Sequence, residues 1–127
     1  MKKPRPLLAV ASFAIPPGLD AVASKLGFQL TAAKNLRQAV ALIKQISPDV
    51  VVAEFVYAPT YGSQLSNFES LFAAAQAYSP QAHFIALCHK DDLLHLEKVK
   101  AQVSHCQVLT LPATTAELEN CLASLCR

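Results

Sequence analysis

The sequence lacks the features of several classes of protein. Only three glycines occur in its 127 residues, and none belongs to a glycine-rich phosphate-binding loop. The four cysteines include no CxxC pair, and no apolar run approaches the ~20 residues that a membrane-spanning helix needs. Charged residues make up 16% of the chain and hydrophobic residues 53%, which indicates one globular domain with a sizeable core.

The small basic excess comes from the amino terminus. Lys2, Lys3 and Arg5 supply three of the 11 basic residues, which leaves 8 against 9 acidic residues in the remainder. The body therefore has no basic footprint typical of nucleic-acid binding. We predict that residues 1–6 form a flexible basic tail and that neither nucleic acid nor membrane is a partner of this domain.

The cysteines and the amino-terminal segment favour a cytoplasmic location. Residues 7–17 follow a basic start, as in a secretory signal, but prolines flank the segment and its removal would delete the first strand of the pattern described below. A domain of this size does not need disulfides. We therefore predict reduced thiols at Cys88, Cys106, Cys121 and Cys126.

Residues 47–56, with the sequence SPDVVVAEFV, organise the rest of the chain. The Ser-Pro pair stops the preceding element, and an almost continuous apolar run follows it. Such runs are typical of strands buried on both faces in a parallel sheet. Glu54 lies near the carboxyl end of this strand, where open α/β sheets place their functional sites.

Strands and helices alternate along the whole chain. Apolar runs predict strands at 7–13, 28–32, 50–56, 83–88 and 107–111, and helical spacing predicts helices that begin near Pro17, Asn35, Phe68, Asp91 and Thr114. Five β–α repeats predict an α/β fold with a five-stranded, doubly wound parallel sheet, flavodoxin-like with order 2-1-3-4-5, in a single domain of residues 1–127.

Four landmarks of this pattern resemble the receiver domain of two-component response regulators. The run PDVVVAEF resembles the third strand, which ends in the phospho-accepting aspartate, and Gly62 follows Glu54 at the family's spacing of eight residues. FIALC resembles the fourth strand, which ends in a switch hydroxyl. VLTLP, residues 108–112, resembles the fifth strand, which ends in lysine and proline. The resemblance covers nearly the whole chain and implies a role in signal transduction or transcriptional regulation.

The same resemblance implies that the phospho-acceptor site is degenerate. The matching positions hold Ala11 and Ser12 for the metal-binding acids, Glu54 for the aspartate, Cys88 for the hydroxyl and Leu111 for the lysine. The aromatic residue that accompanies the switch falls on Val108. Phosphoryl transfer depends on positioning and charge neutralisation, so we expect no Mg²⁺-dependent phosphorylation, no metal, no cofactor and no catalysis. Glu54 is then either a permanent mimic of a phosphorylated aspartate or, as we expect, a remnant.

Other functions have weaker support from the sequence. A flavodoxin-like domain that binds a nucleotide or another small ligand is the main alternative, but Pro16 and Pro17 remove two N–H donors from the first loop. A Cys88–His89 catalytic pair is disfavoured because adjacent strand residues point to opposite faces. Zinc binding by Cys88, His89, His105 and Cys106 would need the two pairs to meet from opposite strand ends, which lie more than roughly 15 Å apart.

The remaining expectation is protein binding, to a partner or to a second copy. In receivers the face formed by the fourth helix, fifth strand and fifth helix exchanges partners. The residues expected on this face are Lys90, Leu94, Glu97, Lys98, Gln102, Ala116, Glu119, Asn120 and Ala123.

Overall fold

The computed structural model describes residues 5–10, 18–55, 68–100, 106–111 and 114–125. Within these residues five strands and five helices alternate, and a short 3₁₀ turn at Lys90–Asp92 precedes the fourth helix. The elements are β1 (Arg5–Val10), α1 (Leu19–Lys25), β2 (Phe28–Ala33), α2 (Leu36–Ile46), β3 (Val50–Glu54), α3 (Phe68–Tyr78), β4 (His83–His89), α4 (Leu93–Lys100), β5 (Cys106–Leu111) and α5 (Thr115–Ser124). The strands are parallel in the order β2-β1-β3-β4-β5, which confirms the predicted fold class.

The sheet separates two hydrophobic cores, because successive strand residues point to opposite faces. In β3, Val51 and Ala53 pack with α2, α3 and α4, whereas Val50 and Val52 pack with α1 and α5. On the first face, the rings of Phe72 and Phe84 meet edge to face with centroids 4.7 Å apart. Burial on both faces explains why the strands read as apolar runs rather than as alternating patterns.

Polar caps fix the beginnings of two helices where the sequence predicts them. The Asn35 side chain accepts a hydrogen bond of 2.8 Å from the Gln38 backbone N–H at the start of α2. Thr114 and Glu117 form a reciprocal capping box at the start of α5. Such caps satisfy N–H groups that have no partner within the helix.

The amino-terminal segment corrects one prediction. Arg5 and Pro6 belong to β1, so they are not part of a flexible tail, and residues 1–4 lie outside the described residues. The Arg5 guanidinium donates to Asp49 Oδ2 at 3.0 Å and to the Leu125 carbonyl at 3.2 Å, and it lies 5.1 Å from the ring centroid of Phe28. These contacts hold the first strand to the residue that precedes β3, to β2 and to the end of α5.

Other predicted strand boundaries also shift, since β2 extends to Ala33 and β3 ends at Glu54. The predicted residues 11–13 of β1 lie outside the described residues, so the end of that strand stays a prediction. Strand β4 continues to His89 because that residue stands in register with Leu111. Strand β5 begins at Cys106, which pairs with Phe84.

Candidate functional site

The carboxyl ends of β3, β4 and β5 meet at one edge of the sheet, as the resemblance to receivers requires. Glu54 stands in register with Leu87, and His89 with Leu111. Cys88, between Leu87 and His89, stands in register with Thr110. The sheet therefore brings Glu54, Cys88 and Leu111 to neighbouring strand ends. Ala11 and Ser12 lie outside the described residues.

Among the described residues of the five strands, Glu54 is the only Asp or Glu, and it lies at the carboxyl end of β3. Its side chain is half-buried, whereas Ala53 and Phe55 on either side are buried against α2, α3 and α4. Strand alternation places Glu54 on the same side of the sheet as Val52, the side covered by α1 and α5. A carboxylate in this position can accept hydrogen bonds and carry charge at the rim of the sheet.

Cys88 has the properties of a core residue rather than of a reactive thiol. It is 0% exposed and packs in the core beneath α2, α3 and α4. Its Sγ donates to the His89 carbonyl at 3.3 Å. Burial, and secondly the negative charge of Asp92, raise the pKa of Cys88 to about 11. Because the thiolate is the nucleophile, a thiol that stays protonated at neutral pH does not support covalent catalysis.

Leu111 presents an aliphatic side chain where a receiver presents an ammonium group. It is half-buried and packs against the core formed with α1 and α5. Val108, three residues earlier, packs on the opposite face against α2, α3 and α4. Neither side chain can donate a hydrogen bond to an anion at the sheet edge.

The described residues contain no group of three or more His, Cys, Asp or Glu side chains arranged to hold a metal ion. In the register of β4 and β5, Cys88 pairs with Thr110, whereas Cys106 pairs with Phe84, four residues earlier in each strand. The two cysteines therefore lie towards opposite ends of the strand pair. The described cysteines, Cys88, Cys106 and Cys121, are not in disulfide bonds. His105 and Cys126 lie outside the described residues.

A cavity of about 270 Å³ lies on another part of the molecule. Pro6, Gln29, Thr31 and Ile46 line it, beside the edge strand β2 and the end of α2. Nucleotides in doubly wound folds bind beyond the carboxyl ends of the strands, so this cavity does not correspond to the small-ligand alternative.

The predicted interaction face is described in part. Leu94 on α4 is 80% exposed, and Lys90, Glu97, Ala116 and Asn120 are exposed as well. Ala123 is half-buried, Lys98 belongs to α4, and Gln102 lies outside the described residues. Glu119 differs from the prediction in its surroundings, because its carboxylate pairs with Lys25 of α1 at 3.2 Å. It therefore lies on the α1 side of α5.

Sequence reasoning missed two features of the molecule. The charge of Asp92 helps to raise the pKa of Cys88, although in the sequence this residue only follows the predicted helix start at Asp91. The second feature is the group of exposed cations on α2. The sequence indicates it, because no Asp or Glu occurs between Leu26 and Pro48.

Solved structures of response-regulator receiver domains share this architecture. The receiver domain of AraT from Geobacillus stearothermophilus matches with a TM-score of 0.76 and 17% identity, over 96% of this chain and 92% of that one. The chemotaxis response regulator CheY4 of Vibrio cholerae matches with a TM-score of 0.75 and 20% identity, over 96% and 98% of the two chains. NtrX from Brucella abortus, in a structure with ADP, matches with a TM-score of 0.75 and 14% identity, over 97% of this chain but 27% of that one.

The chain therefore has the flavodoxin-like fold of response-regulator receiver domains. No protein-family model and no curated protein sequence matches the chain. Among the described helices, none combines the length and the apolar character needed to cross a membrane.

Proposed function

We propose that the protein is a phosphorylation-independent pseudo-receiver, a cytoplasmic module that binds a protein partner or a second copy of itself in signal transduction or transcriptional regulation. The observation that carries the proposal is the chemistry of three neighbouring strand ends. A receiver needs an aspartate, a hydroxyl and a lysine there, and this chain has Glu54, Cys88 and Leu111.

Loss of these groups removes the means of phosphoryl transfer. The transferred phosphoryl group is stabilised by a metal ion and by cationic donors, which neutralise its developing charge. Leu111 offers neither a charge nor a donor, and Cys88 is fully buried. The domain then has no catalytic role and works through its surface.

Leu94 supports a surface that binds protein. An isolated exposed leucine is common, but this one is 80% exposed on α4, the helix that precedes the edge strand β5. Two exposed charged residues flank Leu94 in sequence, Lys90 four positions before it and Glu97 three positions after it. An apolar centre with a polar rim is the usual anatomy of a protein interface.

Sedimentation velocity over a range of protein concentrations tests this proposal. We expect reversible self-association that Leu94→Asp weakens at least about tenfold, since a carboxylate at an interface centre would lose its water without a partner. Ser24→Asp is the matched control, because it places the same group on an exposed position of α1. Equal weakening by both variants, or association that appears only after phosphorylation, would contradict the proposal.

A further inference from the structure

The surface of α2 carries basic residues without acidic ones. The segment from Leu26 to Pro48 contains Lys34, Arg37 and Lys44 but no Asp or Glu. All three basic residues are exposed. The ion pairs found between described residues use other cations, so the positive charge of this segment is not compensated by them.

Helical spacing brings part of this charge into one stripe. Arg37, Ala41 and Lys44 occupy positions i, i+4 and i+7 of α2, and all three are exposed. The two charged positions are about 10 Å apart along the helix axis. A small side chain therefore lies between two cations on the outward side of the helix.

Tyr78, at the end of α3, adds an aromatic side chain to this stripe. It is 47% exposed, and Lys44 Nζ lies 5.7 Å from the centroid of its ring. Tyrosine and arginine are enriched among residues that dominate the binding energy of protein interfaces. We call Arg37, Ala41, Lys44 and Tyr78 the α2–Tyr78 surface.

Two hydrogen bonds hold the ends of α2 and α3 together next to this surface. Ser47 Oγ donates to the Tyr78 carbonyl at 3.1 Å, and Ser79 Oγ donates to the Pro48 carbonyl at 2.6 Å. Ser79 is buried, and Ser47 ends α2 in the left-handed conformation with φ 44°. The tyrosine backbone is thus fixed next to the cation, which reduces the ordering cost of binding.

We propose that the α2–Tyr78 surface binds an acidic amphipathic segment of a partner protein. Carboxylates of the segment face Arg37 and Lys44, and an apolar side chain packs on Ala41 and the ring of Tyr78. Charge complementarity sets the orientation and speeds the encounter, and the aromatic contact supplies apolar burial.

The number of cations favours an acidic protein over other polyanions. Proteins that bind duplex DNA can make about six to ten phosphate contacts with Lys and Arg, and lipid-binding clusters contain about four to eight cations. The α2–Tyr78 surface has two cations, with Lys34 nearby in sequence. It lies near the β2 edge of the sheet, whereas the face that carries Leu94 adjoins the β5 edge, so the inference does not depend on the proposed function.

The test uses a synthetic helical peptide as the probe. A peptide of about 14 residues, about 21 Å long as a helix, carries glutamate and leucine at helical spacing. Titration into the ¹⁵N-labelled protein should shift the amide signals of the α2–Tyr78 surface saturably, and added salt should weaken binding. A peptide with lysine in place of glutamate is the control ligand.

Two variants with the same change of charge then locate the interaction. Lys44→Glu should weaken peptide binding at least about tenfold, whereas Lys25→Glu, at an exposed position of α1, should leave it unchanged. Tyr78→Ser should also weaken binding, at constant charge. The absence of saturable shifts at this surface, or equal weakening by Lys44→Glu and Lys25→Glu, would overturn the inference. Tighter binding of a single-stranded oligonucleotide or of phosphatidylserine vesicles than of the peptide would also overturn it.

Discussion

Glu54 of β3 and Leu87 of β4 stand in register at the carboxyl edge of the sheet. Cys88 follows Leu87 and therefore points to the opposite face, where it is buried beneath α2, α3 and α4. The carboxylate and the thiol thus belong to different sides of the sheet. This relationship underlies the first two predictions.

Removal of the charge of Glu54 should have little effect. Glu54→Gln keeps the shape and the hydrogen-bonding capacity of a half-buried side chain, so the free energy of unfolding should change by less than about 1 kcal/mol. Self-association should also stay constant, because Cys88 and Leu111 provide neither the hydroxyl nor the ammonium that a phosphoryl group attracts in receivers. Chemical denaturation and sedimentation velocity measure the two quantities. A tenfold loss of association at unchanged stability would identify Glu54 as a working phosphoryl mimic.

Stability should fall at alkaline pH, partly because of Cys88. Its pKa is about 11 in the folded protein and 9.0 in the absence of burial, so the unfolded chain loses the proton first as pH rises. The protonated thiol of Cys88 therefore contributes its full share of the unfolding free energy below pH 9. This share is lost as pH rises from about 9 to 11, and about 1 kcal/mol is lost by pH 10.

The difference in unfolding free energy between pH 7.5 and pH 10 measures this contribution. Cys88→Ala should reduce the difference, even though the cavity lowers stability at both pH values. Cys121→Ala is the comparison variant, since burial also raises the pKa of that thiol. An unchanged pH dependence in Cys88→Ala would contradict the assignment.

Arg5→Ala should destabilise the fold by about 1–2 kcal/mol, because it removes the pair with Asp49 and the hydrogen bond to the Leu125 carbonyl. Arg37→Ala provides the control at an exposed helical position and should change stability by less than about 0.5 kcal/mol. Urea denaturation compares the two variants. Equal stability of both would mean that the amino terminus is, after all, a loose tail.

The two described glycines with positive φ should differ in their response to alanine. Gly18 and Gly27 have φ values of 85° and 86°, but an added Cβ at Gly18 would meet Thr115 Oγ1 at 2.8 Å, whereas nothing lies within 4 Å at Gly27. Gly27→Ala should cost about 1 kcal/mol from backbone strain alone, and Gly18→Ala about 1 kcal/mol more from the contact. Thermal denaturation compares the two variants. Adding Thr115→Ala to Gly18→Ala removes the contact and should restore the extra stability that Gly18→Ala loses relative to Gly27→Ala. No recovery would show that the contact is not the cause.

The sequence predicted the sheet well because its strands are buried on both faces. The run from Val50 to Ala53 is uniformly apolar, and Asn35 and Thr114 mark helix starts through local hydrogen bonds. These signals lie within a few residues of the structure that they specify. They are therefore visible without knowledge of tertiary contacts.

Long-range polar contacts were not predictable in the same way. Arg5 looks like part of a basic tail because its partners, Asp49 and Leu125, lie 44 and 120 residues away. Lys25 and Glu119 are separated by 94 residues, so no local pattern assigns Glu119 to the α1 side of α5. At the candidate site, the identities of Glu54, Cys88 and Leu111 come from the sequence, but the burial of the thiol and its pKa come from packing.

The central claim, that this receiver fold does not respond to phosphorylation, is tested most directly by amide NMR spectra with and without beryllofluoride and Mg²⁺. A sharper form of the test records the same spectra for Glu54→Asp. This variant restores the phospho-accepting aspartate, but Leu111 still stands in place of the lysine. We predict unchanged spectra for both proteins. Saturable, Mg²⁺-dependent shifts that cluster around residue 54 in the unmodified chain would contradict the account.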